Sequence, residues 1–478
     1  MAAPAASFFW HDYETFGRSA RRDRPAQFAG VRTDADLNEI GTPVMQYCQP
    51  APDNLPDPES VLLTGILPQL CLERGLPEHA FADAIEAELA LPGTIGVGYN
   101  SIRFDDEFTR FLFWRNLIDP YAREWRNACG RWDLLDTVRC TWALRPEGMA
   151  WPLREDGGPS FKLEHLTLAN GLAHDAAHDA LSDVRATVAL ARILKTRKAR
   201  LWDFCLKLRE KSAVQAELIS GAPVLHISGM YPASQGCMAI VAPLAPHPSN
   251  RNEVIVWDLA HDPAELLTLD AAVIRQRLFT RQEDLPESMT RLPLKTIHIN
   301  KSPIVIKNLA TLTPERAEMF GIDIALALRH AQNVVRVAGP MLGVWDLVFA
   351  REKTAEPVDV DADLYGGFIG DEDRRQLERL RKLTPEALAK SKPTFRDERL
   401  DELLFRYRAR NHVQSLGEDE LARWLRHCGE RLHGGAGGAL TLSAYFDQID
   451  RLAEAADARG QGLLAALYEY AESIAPAL

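Results

Sequence analysis

The first 195 residues alternate two kinds of hydrophobic pattern. Short apolar runs at 8–10, 28–32, 44–48 and 95–99 read as strands. Between them 80–89 reads as a helix, and 104–117 reads as a second, with Phe104, Phe108, Phe111 and Leu112 at helical spacing. A third helix carries Leu181, Val184, Val188 and Ala191 on one stripe. Strands and helices mixed in this order predict a sheet flanked by helices. Beyond residue 195 the pattern changes. Runs at 226–230, 238–242, 253–259, 296–299 and 304–305 look like strands separated by Pro, Gly and Asn turns. The stretch 310–337 reads as mostly helical and 353–371 as a connector, followed by helices at 373–384, 397–410, 417–432, 440–457 and 461–475. The prediction is an α/β multidomain chain in three zones: mixed α/β over 1–197, β-rich over 198–352 and all-α over 353–478.

Composition narrows the class. With 478 residues, 46% hydrophobic and 26% charged, the chain has a globular balance and is too long for one ordinary core. Its longest apolar runs fall far short of a membrane span, and its N-terminus lacks the basic start of a secretory signal, so no membrane and a cytoplasmic location are expected. Seven scattered cysteines without a C-x-x-C pair suggest neither a disulfide framework nor a zinc cage, and leave oxygen as the expected metal donor. Fifty-five Lys and Arg against 67 Asp and Glu give a net charge of −12, which as a total argues against a polyanionic partner. Local distribution matters more. Residues 192–211 hold eight basic side chains against Asp203 and Glu210, which fits either the polar face of a helix or a phosphate-tracking surface.

The candidate chemistry lies in acidic residues. If the first strand continues through Asp12 and Glu14, their i, i+2 spacing points both carboxylates to one face, where they bind a hard cation or repel each other. Asp105, with Asp106 and Glu107, opens the second helix, where acids also favour the positive end of the dipole. His178 precedes the third helix, Asp179 is placed to cap it, and Asp183 sits one turn in. Asp179 and Asp183 share a face, so they compete for any ligand role.

Taken together, Asp-x-Glu, then Phe-Asp opening a helix, then His-x4-Asp resembles the DEDDh 3′–5′ exonuclease superfamily. The resemblance implies a ribonuclease-H-like fold. It also implies four metal carboxylates, Asp12, Glu14, Asp105 and Asp183, with His178 as general base. Two divalent ions, Mg²⁺ with Mn²⁺ as a substitute, would serve hydrolysis of a terminal phosphodiester and release nucleoside 5′-monophosphates. Longer stretches resemble the bacterial exodeoxyribonuclease I family: His11-Asp12-Tyr13-Glu14-Thr15-Phe16-Gly17, Gly98-Tyr99-Asn100, Arg131-Trp132-Asp133-Leu134-Leu135-Asp136, Leu144-Arg145-Pro146-Glu147-Gly148 and Ser160-Phe161-Lys162-Leu163-Glu164-His165-Leu166. His298-Ile299-Asn300-Lys301-Ser302-Pro303 and Tyr407-Arg408-Ala409-Arg410-Asn411 extend the likeness to the other zones.

That family implies an exonuclease domain, a Src-homology-3-like barrel domain and a C-terminal helical domain, acting on single-stranded DNA in the 3′-to-5′ direction in DNA repair and recombination. It places Lys162 against a substrate phosphate and Glu14, Thr15 and Phe16 at the terminal nucleotide. It also implies docking of the acidic C-terminal tail of single-stranded DNA-binding protein, for which Arg145 is the candidate anion partner. A monomer associated with the nucleoid is expected. Two other readings are a DEDDh exoribonuclease trimming RNA 3′ ends, and a catalytically silent single-stranded-DNA-binding docking protein. The extra length argues against the first and the complete carboxylate set against the second.

Overall fold

The computed structural model describes residues 7–172, 179–219, 221–350 and 358–475. Its Cα positions form two compact units: Met1–Gly130 with His174–Val188 and Glu356–Leu478, and Arg131–Ala173 with Ala189–Ala355.

In the first unit four strands, β1 (Ser7–Thr15), β2 (Pro25–Thr33), β3 (Val44–Tyr47) and β4 (Thr94–Gly98), lie in the order β3-β2-β1-β4. The central strand β1 runs antiparallel to β2 and parallel to β4. It is longer than its apolar run, because the polar residues that follow Trp10 continue in register with β2, Asp12 opposite Ala29 and Glu14 opposite Gln27. Helices Glu78–Leu89 and Asp105–Arg115 cover one face, burying Phe81, Ile85, Leu112 and Phe113 against Phe9, Tyr13 and Phe28. Two short helices absent from the expected elements, Pro58–Thr64 and Pro68–Arg74, each begin with a proline, whose fixed φ suits the first helical turn.

The C-terminal helices share cores with this sheet. Phe16, Ala26 and Val61 pack with Leu432, Tyr445, Leu464 and Leu467. Phe111, Trp114 and Leu117 pack with Leu377, Leu380, Leu403 and Tyr407. Between the two lies a buried ionic junction. Asp361 takes Arg24 at 3.4 Å, Arg406 at 3.2 Å and also Arg410, while Arg410 meets Asp53 at 2.7 Å. Burial alone would raise the Asp361 carboxyl, but Arg410 and Arg406 outweigh it and hold it far below the usual carboxylate range. The neighbouring Val360 carbonyl accepts the Trp114 indole N–H at 2.7 Å.

The second unit begins with β5 (Gly130–Asp133), whose last residue caps helix Leu134–Leu144. Its sheet is five-stranded and antiparallel in the order β10-β6-β7-β8-β9, from β6 (Val224–Ile227), β7 (Met238–Pro246), β8 (Glu253–Asp258), β9 (Leu294–His298) and β10 (Ile304–Ile306). The run expected over 226–230 instead begins at Val224 and ends at Ile227, since Ser228 and Tyr231 close a turn through a backbone hydrogen bond of 3.1 Å. Helix Ile324–Val348 runs well past residue 337 and carries Pro340 within it. Among the described residues no helix is long and apolar enough to cross a membrane.

These shared cores predict that a chain ending at residue 355 does not fold. It would expose Phe16, Phe111 and Trp114 and strip Arg24 of its Asp361 partner. Soluble yield and thermal melting check this. A soluble truncated chain melting cooperatively near the full chain's temperature would refute it.

Candidate active site

The site is built where β1 outruns its parallel neighbour. Pairing of β1 with β4 covers Ser7–Thr94 to Trp10–Val97, and β4 ends at Gly98. A Cβ at Gly98 would meet the His11 carbonyl at 2.9 Å and the Ser101 side chain at 2.7 Å, so glycine permits the chain to turn away there. The Tyr13 N–H beyond that point donates to Asp105 Oδ1 at 3.0 Å. Asp105 thus arrives at the strand from the first turn of helix Asp105–Arg115. The register of β1 against β2 shifts between Glu14 and Thr15, an irregularity of the kind that re-aims side chains beside active sites.

The third element is helix Ala180–Arg197, with Asp183 in its first turn. The rivalry between Asp179 and Asp183 resolves through capping: Asp179 Oδ2 accepts the Ser182 N–H at 3.0 Å. Asp12, Glu14 and Asp183 each bring a carboxylate oxygen within 4.8 Å of the others. A cavity of about 240 Å³ opens over them, bordered also by Thr15, Arg18, Leu63 and Phe104.

Four carboxylates this close repel one another. The Asp12 carboxyl is raised well above its ordinary range, first by burial, then by Asp105, Glu14 and Asp183. Glu14 is pushed up to about 8, first by burial, then by Asp183, Asp105 and Asp179. An all-oxygen, multiply anionic donor set suits a hard divalent cation, which relieves the repulsion that protons would otherwise relieve. The residues present therefore fit the expected metal chemistry.

The remaining expected residues are spread more widely. His178 lies outside the described residues. Thr15 is buried and its hydroxyl donates to the Gly17 carbonyl at 2.7 Å. The Phe16 ring does not border the cavity: it is 2% exposed and packs with Val61, Leu432 and Tyr445, because an apolar ring at the strand end gains more from that core than from a wet cleft. Lys162 belongs to the second unit, where it is exposed just before helix Leu163–Ala169, with Nζ 3.7 Å from Glu164 Oε1. Arg145, also in that unit, is half-buried, and its Nη1 donates to the carbonyl of Thr311 at 3.0 Å.

Asp106 and Glu107 are not merely acids at a helix start. Asp106 forms a buried ion pair with Arg123, and Glu107 meets Arg110 at 2.8 Å. In the basic stretch 192–211 several charges are satisfied locally, Lys198 by Glu147 at 3.2 Å and Lys211 by Asn252 at 2.6 Å, while Arg200 and Lys207 remain exposed. Sequence reasoning passed over Thr109, whose side chain bridges Tyr13 and Asp105. Its position four residues after Asp105, one helical turn on, was the available signal. It also passed over Trp125 and Phe368, aromatic side chains 62% and 82% exposed in the first unit.

Comparison with known proteins extends these observations over the whole chain. Residues 9–191 match the family model for exonuclease, 209–351 the exonuclease I SH3-like domain and 358–474 the exonuclease I C-terminal domain. Exodeoxyribonuclease I of Escherichia coli (strain K12) is 44% identical over 477 residues, covering 98% of both chains. The crystal structure of E. coli exonuclease I in complex with a dA16 oligonucleotide matches with a TM-score of 0.93 at 43% identity, over 98% of this chain and 100% of that one. A zinc-bound E. coli complex with single-stranded DNA matches with a TM-score of 0.91 at 43% identity, over 98% and 99%. The order of the matched domains is that of the three zones read from the sequence, the α/β architecture is shared throughout, and the matched activity is that of a nuclease. The chain belongs to the exodeoxyribonuclease I family.

Proposed function

We propose that this chain hydrolyses single-stranded DNA from the 3′ end, releasing nucleoside 5′-monophosphates. The observation that carries the reading is the convergence of Asp12, Glu14 and Asp183 within 4.8 Å, with Asp105 held to the same strand. The four carboxylates hold divalent cations, Mg²⁺ in the first instance with Mn²⁺ as a substitute. Two such ions supply charge compensation for a phosphodiester under attack and a more acidic water. The chain's own residues do the rest. Glu14 and Thr15, bordering the cavity, place the terminal nucleotide, and Phe16 contributes by anchoring the strand end in the core beneath it. His178 takes the proton of the attacking water, and Lys162 meets a substrate phosphate.

Trp125 and Phe368 offer open ring faces on which bases of a single strand can stack irrespective of sequence. Arg126, 5.8 Å from the Trp125 ring centroid and 3.7 Å from Glu378, adds a cation that a phosphate could draw from that exposed pair. Arg145 receives the acidic C-terminal tail of single-stranded DNA-binding protein. The working protein is a monomer in the cytoplasm, serving DNA repair and recombination. Its domains span 1–197, 198–352 and 353–478.

The first test is a time course with 5′-labelled single-stranded DNA, duplex and RNA in Mg²⁺. Shortening of single-stranded DNA from the 3′ end, abolished by EDTA, is the expected outcome. Trimming of RNA alone would favour the exoribonuclease reading, and tight binding without cleavage the docking reading. Asp12→Ala and Asp183→Ala are expected to abolish cleavage with little change in melting temperature, and His178→Ala to lower turnover strongly while metal still binds. Full activity in any of the three overturns the site assignment.

Metal-free stability gives a second test. Glu14 has a folded-state pKa near 8 against an ordinary value of 4.5, so the folded state holds a proton that the unfolded chain has already released. Its contribution to stability is complete below about pH 4.5 and is lost as pH rises through 8, a change of a few kcal/mol by linkage. In EDTA the melting temperature should therefore fall across this window. Excess Mn²⁺ should restore most of the loss at the alkaline end and little at the acid end. Equal Mn²⁺ effects at both ends would contradict the carboxylate site.

A further inference from the structure

Asp105 and Asp183 each have their backbone carbonyl held by a threonine hydroxyl one turn on, Thr109 and Thr187, both at 2.9 Å, and Asp105 is tied in addition to β1 through Tyr13. The Asp105 Oδ1 accepts the Tyr13 N–H at 3.0 Å. The Thr109 hydroxyl donates to the Asp105 carbonyl at 2.9 Å, and the same oxygen lies 3.0 Å from the Tyr13 hydroxyl. A threonine hydroxyl has one proton. With that proton on the Asp105 carbonyl, Tyr13 must be the donor in the second bond. The polarity then runs from the Tyr13 hydroxyl through Thr109 to the Asp105 carbonyl, and the Tyr13 amide returns to the Asp105 carboxylate. This closed loop joins the residue between Asp12 and Glu14 to both ends of Asp105.

The loop is sealed from water. Thr109 is 0% and Tyr13 3% exposed. The next residue along, Asp106, is 1% exposed and ion-paired with Arg123, itself 3% exposed. That guanidinium passes close to Gly96 of β4, where a Cβ would sit 3.2 Å from Nη1, and its Nε and Nη1 make no hydrogen bond. A buried and partly unsatisfied ion pair is weak evidence of stabilisation, since apolar residues of similar volume often do as well or better. Its consequence here is positional: the start of helix Asp105–Arg115 is fixed against β1 and β4 from below.

We propose that Tyr13 and Thr109, on the footing provided by Asp106 and Arg123, are positioning residues that hold the Asp105 carboxylate in register with Asp12 and Glu14 for divalent cation binding. This rests on the metal reading of the site. The hydroxyls of Tyr13 and Thr109 bond to each other, and that of Thr109 to the Asp105 carbonyl, rather than to the site carboxylates. They act through Asp105.

The test uses the full chain without DNA. Mn²⁺ binding is followed by electron paramagnetic resonance, with melting in EDTA measured in parallel. Thr109→Val and Tyr13→Phe keep the volume and remove the hydroxyl arm of the loop, leaving the Tyr13 amide on Asp105 Oδ1. Each should weaken Mn²⁺ binding by about 10- to 100-fold, the usual effect of losing a group that orients a metal ligand. The double variant should be no weaker than the worse single one, because both break one loop. Thr109→Ser, which keeps the hydroxyl, should bind Mn²⁺ as the native chain does. With single-stranded DNA, the metal concentration for half-maximal cleavage should rise in parallel, and excess Mn²⁺ should recover most of the turnover.

Lowered melting temperatures with native Mn²⁺ affinity in both variants would mean that the loop serves the fold alone, and would overturn the proposal. If one variant fails to fold, the other still decides. Absence of Mn²⁺ binding by the native chain would instead overturn the metal reading and this proposal with it.

Discussion

The central constraint is the repulsion among four carboxylates drawn together at one end of a strand. Left to themselves, such groups separate into water or take up protons. Here each is supplied by an element that cannot easily yield. Asp12 and Glu14 stand on the middle strand of the sheet, registered against β2, with Tyr13 between them packed into the aromatic core. Asp105 is fastened to the Tyr13 amide, and Asp183 sits in a helix whose first turn is closed by Asp179. The fold supplies the restraint, and a cation held there would relieve the repulsion.

The rest of the first unit treats its acids in the opposite way. Asp53 and Asp361 lie as deep as any site residue, yet arginines hold both carboxyls well below their ordinary range against the cost of burial. Glu78 is depressed too, with Arg115 2.7 Å away. For Asp12 and Glu14 the strongest neighbouring charges are other carboxylates, and the shift is upward. Burial is common to both groups. The sign of the neighbours separates acids paired with arginines from acids clustered with one another.

How much of this was legible in the chain follows from the range of each interaction. The i, i+2 pair in β1, the acid at a helix start and the acid one turn into another helix are local patterns, and the structure places the described ones together. The polar end of β1 and the proline-led helices at Pro58–Thr64 and Pro68–Arg74 are harder, because their stability comes from packing partners distant in sequence. Phe16 illustrates the limit. Nothing near it announces a core position, since that core is completed by Leu432, Tyr445 and Leu467. The same holds for Arg24, whose partner Asp361 lies 337 residues away. Thr109 was readable in spacing alone, but its role needed the Tyr13 hydroxyl beside it.

The net charge of −12 is compatible with a DNA substrate once the work of the acids is separated. Asp53, Asp106 and Asp361 are neutralised internally by arginines and contribute little field outside. Where the site acids are ionised they set a negative potential in the cleft, and where they are not they hold protons that a cation would displace. A cation bound there changes the sign of the local field as well as supplying chemistry. The total charge does not register exposed cations and exposed aromatic side chains such as Trp125 and Phe368, on which the proposed strand binding would rely. On the proposed reading, binding the polymer and admitting its end are separate electrostatic problems, and a metal at the carboxylates would bear on the second.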